Sequence, residues 1–145
     1  MEYRQLDEKE IRQLEDNNCW AEDWQRVMVA DDFNPNAVRN VTFYGDVKLG
    51  SFDKSIEVSK TFMRRTGVYN ATLRNVTIGN NSLVENVGNY INNYVIGSDC
   101  YISNICTMET TEGATYGEGN IISVLNEVGE GNVVSYHGLT SQIAA

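Results

Sequence analysis

From Ile78 to Thr107 large apolar residues return every six positions, at Ile78, Val84, Tyr90, Ile96 and Ile102. The fifth position of each hexad is Ser82, Gly88, Tyr94, Cys100 and Cys106, small in four of the five. Asn, Gly and Asp collect between, as turns with positive φ require. Helices and flat strands repeat at about 3.6 and 2 residues, so a period of six points to another arrangement. It fits a triangular coil in which each hexad forms one face and residues eighteen apart stack, Ile78 on Ile96 and Val84 on Ile102. The pattern returns at Tyr116, Ile122, Val128 and Val134, and upstream at Val41 and Val47 with Gly45 and Ser51. It breaks near 53–66 and 109–115, which read as loops protruding from a corner.

The N-terminal region follows a different pattern. Asp7 with Glu10 forms a capping-box signature, and Leu6 and Ile11 stand where a hydrophobic staple would pack. That helix should run through Leu14 and stop near Asn17-Asn18. Trp20, Trp24 and Val27 predict a second short helix over Ala21–Val27, with both tryptophans in the core. Pro35 after Asn34 marks a turn. The expected fold class is all-β: a single-stranded parallel β-helix of hexapeptide repeats over 36–135, a helical cap over 1–35, and the start of a C-terminal helix over 136–145. The chain ends on apolar residues, so a continuation or a partner subunit is expected to cover that end.

The repeat resembles that of the hexapeptide-repeat transferases, whose coils are left-handed, and the left-handed sense rests on that resemblance. The stretches Ala21-Glu22-Asp23-Trp24, Asp32-Phe33-Asn34-Pro35, Val38-Arg39-Asn40-Val41, Gly67-Val68-Tyr69-Asn70-Ala71 and Val124-Leu125-Asn126-Glu127 resemble the N-terminal segment of a bacterial family of unknown function. That family is often labelled UDP-N-acetylglucosamine pyrophosphorylase-related, and its members are several times longer. The resemblance implies a sugar-nucleotide context and no catalytic residue. It departs after Asn126-Glu127, where the family's Gly-Gly-Arg-Glu-like run reads Val128-Gly129-Glu130-Gly131.

Charge narrows the partners. A formal net charge of −9 and a pI near 4.5 argue against nucleic acid and anionic membranes, both of which select a basic face. No stretch has the length and hydropathy of a membrane span. Met1-Glu2-Tyr3-Arg4 leads into an acidic helix, not an apolar signal core, so a cytoplasmic protein is expected. The three cysteines lack a metal or redox spacing, and Cys100 and Cys106 are expected inside as small hydrophobes.

Candidate chemistry is sparse. His137 is the only histidine, and the transferase resemblance suggests a general base. Its place in Tyr136-His137-Gly138, after the last hexad, suits a structural or solvated turn residue better. The 53–66 insertion carries Lys54, Lys60, Arg64 and Arg65, four of the eleven cationic residues. Lys60, Arg64 and Arg65 are candidate phosphate ligands for coenzyme A or a sugar nucleotide, against the simpler reading of a solvated loop. The Asn-rich hexads suit sugar binding or, more simply, left-handed turns.

The leading expectation is a structural or assembly module of a sugar-nucleotide-related protein, a homo-oligomer with a trimer as the candidate form. The alternatives are an acyl- or nucleotidyl-transferase acting on a sugar or sugar nucleotide, and a carbohydrate-binding module. No resident cofactor is expected; coenzyme A or a nucleotide sugar belongs to the transferase alternative. The register makes one sharp prediction. Ile96→Asp puts an unpaired charge among apolar side chains, costs more than about 4 kcal/mol, and abolishes the cooperative urea transition. A stable, folded variant would show that the register is wrong.

Overall fold

The computed structural model describes residues 2–111, 113–114, 121–123 and 132–134. The chain divides into two units, Met1–Thr110 and Thr111–Ala145. In the first, strand β1 (Arg4–Gln5) precedes helix α1 (Glu8–Asp16), which is followed by β2 (Trp20–Ala21), a 3-10 turn at Trp24–Arg26, and β3 (Val27–Val29). A second 3-10 turn at Pro35–Ala37 leads into β4 (Val38–Leu49). The hairpin β5 (Ser55–Ser59) and β6 (Phe62–Arg65) comes next, then β7 (Gly67–Ile78), β8 (Leu83–Ile96) and β9 (Tyr101–Glu109). In the second unit, β10 (Ile121–Ser123) pairs antiparallel with β11 (Asn132–Val134).

The main sheet runs β1-β3-β4-β7-β8-β9, with β2 beside β4. It is mixed. β1 pairs antiparallel with β3, whereas β2 and β3 pair parallel with β4, and β4, β7, β8 and β9 pair parallel in turn. Ile78 lies opposite Ile96 and Val84 opposite Ile102. Between β4 and β7, however, Val38 faces Val68, because the β5–β6 hairpin intervenes. Register shifts interrupt each of the three long parallel pairings.

The expected left-handed single-stranded parallel β-helix of hexapeptide repeats is therefore corrected to a mostly β fold with a mixed sheet and one short helix. The sequence period records which side chains point inward, but not the direction in which a neighbouring strand runs. Locally closed segments pair antiparallel: β5 with β6 inside the expected 53–66 loop, and β10 with β11 where the period of six was expected to continue. Ile122 pairs with Val133 there, while Tyr116 and Val128, like the expected helix over 136–145, lie outside the described residues.

The core is built from alternate strand positions. Val41, Phe43, Val47 and Leu49 of β4 are buried with Leu73, Val76 and Ile78 of β7 and Val84, Val87 and Ile91 of β8. The long strands bend. A straight strand of 12 residues spans about 40 Å, and only residues 79–82 separate the end of β7 from the start of a parallel β8. The bends fall at Asn40, Asn70, Asn75, Asn86, Asn93 and Asn104, all with positive φ.

The cap region differs from its expected form in one part. Asp7 caps α1, its side chain accepting from the backbone N–H groups of Lys9 and Glu10, and the Glu10 carboxylate accepts from the Asp7 N–H at 3.0 Å. The helix expected over Ala21–Val27 is instead strand, 3-10 turn and strand, which lets β2 and β3 join the sheet. Trp24 packs on Phe43 with ring centroids 6.0 Å apart, but Trp20 is 54% exposed and so is not core. Cys106 is exposed as well, against the expectation that it points inward.

Arg4 donates two hydrogen bonds to the Glu10 carboxylate, at 2.7 and 2.8 Å. That guanidinium, helped by the Asp7 N–H, holds the Glu10 carboxyl below its ordinary pKa, and the N–H groups of Glu10 and Lys9 hold Asp7 down likewise. A folded pKa below the unfolded one stabilises fully above the unfolded carboxylate value and is lost as pH falls through the folded value. Glu10→Gln should therefore cost about 0.5–1 kcal/mol at neutral pH. That deficit should shrink below roughly pH 4, where the wild-type carboxyl also protonates. Urea melts at a series of pH values measure the difference; a deficit independent of pH would refute the ion-pair account.

Candidate functional site

The base of the β5–β6 hairpin frames a cleft. Thr66 donates its N–H and its hydroxyl to the Lys54 carbonyl, at 3.0 and 2.8 Å, and closes the hairpin there. Gly67 follows with φ near 147°. A Cβ at that position would stand 2.2 Å from the Ala37 carbonyl oxygen and 2.7 Å from the Tyr69 hydroxyl, so only glycine brings the hairpin this close to the Pro35–Ala37 turn. Asn34 holds that turn by accepting from the Asn36 N–H at 3.0 Å.

The resulting cavity encloses about 400 Å³. Arg39 reaches it from β4, Lys54 from the start of the hairpin, Arg65 from the end of β6 and Tyr69 from β7, with Asp53 the single carboxylate in the lining. Arg39 and Tyr69 face each other across the β4–β7 pairing. The Tyr69 hydroxyl donates to the Thr66 carbonyl at 3.2 Å. Burial raises the Tyr69 phenol, and the neighbouring Arg39, Arg65 and Arg64 charges partly oppose this, so at neutral pH it is a protonated donor. Among the described residues, Arg39, Lys54 and Arg65 make no ion pair. Three uncommitted cations around one cavity can receive an anion with several oxygens.

Alternation along β6 sends Arg64 away from Arg65. Arg64 donates to Glu85 of β8 at 2.7 Å, and Glu85 also accepts from Tyr101 and Ser103 of β9 at 3.3 and 3.2 Å. The Glu85 side chain is only 5% exposed. Arg64 is thus committed to a structural pair that ties the hairpin to the sheet. Lys60 is exposed in the hairpin turn and away from the cleft lining. Of Lys60, Arg64 and Arg65, only Arg65 lines the cavity, together with Lys54 of the same insertion, and His137 lies outside the described residues. Arg39 and Tyr69 escaped sequence reasoning, although they sit in two of the stretches that carried the family resemblance. No group of three or more His, Cys, Asp or Glu is placed to hold a metal among the described residues. None of the described helices is long and apolar enough to cross a membrane.

Residues 3–145 match the family model described as "Domain of unknown function (DUF4954)", and the chain belongs to that family. An uncharacterized protein of Treponema pallidum (strain Nichols) is 29% identical over 148 residues, a match covering 94% of this chain and 20% of the relative. The chain thus spans about a fifth of that relative's length. No solved structure matches it. The expected bacterial family of unknown function is therefore found.

The Arg64–Glu85 pair generates a prediction. Arg64→Ala strands a buried carboxylate that keeps only two hydroxyl donors. Discounted for the solvent exposure of Arg64, the loss should be about 1–3 kcal/mol. Arg64→Ala with Glu85→Gln should recover part of it, as a double-mutant cycle in urea would measure. No recovery would mean that the pair does not hold the hairpin.

Proposed function

We propose that this DUF4954 member is a binding module for a phosphorylated small molecule of the sugar-phosphate or sugar-nucleotide class. The observation that carries the reading is the cleft: Arg39, Lys54 and Arg65 converge on one cavity, against a single Asp53, in a chain of net charge −9. A solvated hairpin would spread its charges, and pairing for stability would consume them, as Glu85 consumes Arg64. A volume of about 400 Å³ lies within the range of small-molecule sites. Two guanidinium groups can each take two phosphate oxygens, and the Tyr69 hydroxyl offers a neutral donor beside them. The sugar-nucleotide context suggested by the sequence resemblance supplies the ligand class.

Self-association is a second reading, favoured by Phe62 and Met63, neighbouring apolar residues that are both exposed on β6.

Thermal-shift titration with inorganic pyrophosphate, coenzyme A and UDP-N-acetylglucosamine tests the binding reading. At about a hundred times its dissociation constant, a ligand should add roughly 2.7 kcal/mol of stability. Raising the salt concentration should weaken binding. The Arg39→Ala/Arg65→Ala double variant should bind at least tenfold more weakly. No shift with any of the three, or equal binding by the double variant, would overturn the proposal.

A further inference from the structure

A second cavity, of about 430 Å³, shares no lining residue with the cationic cleft. Its walls are Glu22, Tyr44, Thr72, Arg74, Tyr90, Asn92 and Glu109. The parallel register explains why these residues meet. Tyr44 lies opposite Arg74, Arg74 opposite Asn92, and Asn92 opposite Glu109. Two positions before them, Trp20 pairs with Thr42 and Thr42 with Thr72. Residues two apart share a face, so these rows form one outward surface. The intervening Phe43, Leu73 and Ile91 are buried and hold that surface rigid from below.

Asn92 is the informative residue. It is only 6% exposed. Its Nδ2 donates to Glu109 Oε1 at 2.7 Å, and the Tyr90 hydroxyl donates to Glu109 Oε2 at 3.2 Å. A carboxylate only accepts, so the Asn92 amide must turn its nitrogen toward Glu109. Its Oδ1 is thereby aimed elsewhere and, among the described residues, has no hydrogen-bond partner. A buried carbonyl oxygen left without a donor is costly. Asn92 thereby fixes the Glu109 carboxylate at the edge of the cavity.

The remaining walls define the ligand further. Trp20 stands edge-on to Tyr44 at 5.6 Å, and Trp20, Tyr44 and Tyr90 are all exposed. Aromatic faces of this kind pack against the C–H face of a pyranose ring while its hydroxyls reach polar groups at the rim. Glu22 and Glu109 accept; Arg74 and Thr72 donate. Arg74 makes no hydrogen bond or ion pair among the described residues. Two carboxylates against one arginine repel a phosphate, in contrast to the cationic cleft.

We propose that this surface is a binding site for an uncharged sugar, whose ring lies on Tyr44 and Tyr90 and whose hydroxyls are read by Glu22, Glu109 and Arg74. The site is independent of the cationic cleft. The experiment is a glycan array carrying neutral and acidic glycans, probed with the 145-residue chain, followed by isothermal titration with the glycan best retained. At least one neutral glycan should be held. Tyr44→Ala and Arg74→Ala, both at exposed positions, should each weaken it at least tenfold. The Arg39→Ala/Arg65→Ala variant should bind it as the wild type does, so failure here is distinguishable from failure of the cleft. Retention of no neutral glycan, retention of acidic glycans alone, or unchanged binding by both Tyr44→Ala and Arg74→Ala would overturn the proposal.

Discussion

The fold depends on asparagines that accept a left-handed backbone where the long strands bend. L-residues avoid positive φ because Cβ crowds the carbonyl oxygen, and Asn tolerates it best after glycine. Here the bends also stack. Asn18 donates to Asn40, Asn40 to Asn70, Asn70 to Asn86 and Asn86 to Asn104, with distances rising from 2.8 to 3.2 Å. Each inner amide donates a hydrogen bond to the next and accepts one from the last, a ladder that crosses strands far apart in sequence. A second bend column runs from Asn75 to Asn93, and its neighbour at position 45 is glycine because a Cβ would stand 2.2 Å from the Asn75 Oδ1. One net hydrogen bond contributes only about 1 kcal/mol, but alignment matters more than the sum. A bend displaced by one residue would turn Phe43, Leu73 and Ile91 out of the core.

The same alignment determines the chemistry of the surface. With Leu73 opposite Ile91 inside, Arg74 must lie opposite Asn92 outside, and the aromatic groove follows. The cationic cleft depends on a separate constraint. Glu85 is buried and accepts from Arg64, Tyr101 and Ser103, so the hairpin is held to β8 by an ion pair whose carboxylate is out of solvent. Alternation then leaves Arg65 facing Arg39 and Tyr69. Arg64 and Arg65 are adjacent and chemically identical, yet one supports the structure while the other lines the site.

This is why the sequence was informative about some features and silent about others. The capping box is local, and Asp7 with Glu10 states it within four residues. The eighteen-residue spacing of Ile78 and Ile96 is visible because each repeat solves the same packing problem. Strand direction is not encoded in that spacing, which is silent about the antiparallel pairings of β1, of the hairpin and of β10 with β11. Helical spacing would place Trp20 in the core; the region is extended, and extension places it outside. The cleft was half legible. Four cations in one insertion drew attention to Arg65, but Arg39 joins them only through a pairing that spans thirty positions to Tyr69.

Two cavities of similar size and opposite electrostatics on one unit are hard to reconcile with a surface shaped by solubility alone. Solubility asks only that charge be present and dispersed. Here cations gather where one carboxylate opposes them, and carboxylates gather where aromatic rings accompany them. The first arrangement favours phosphate oxygens, the second hydroxyl groups.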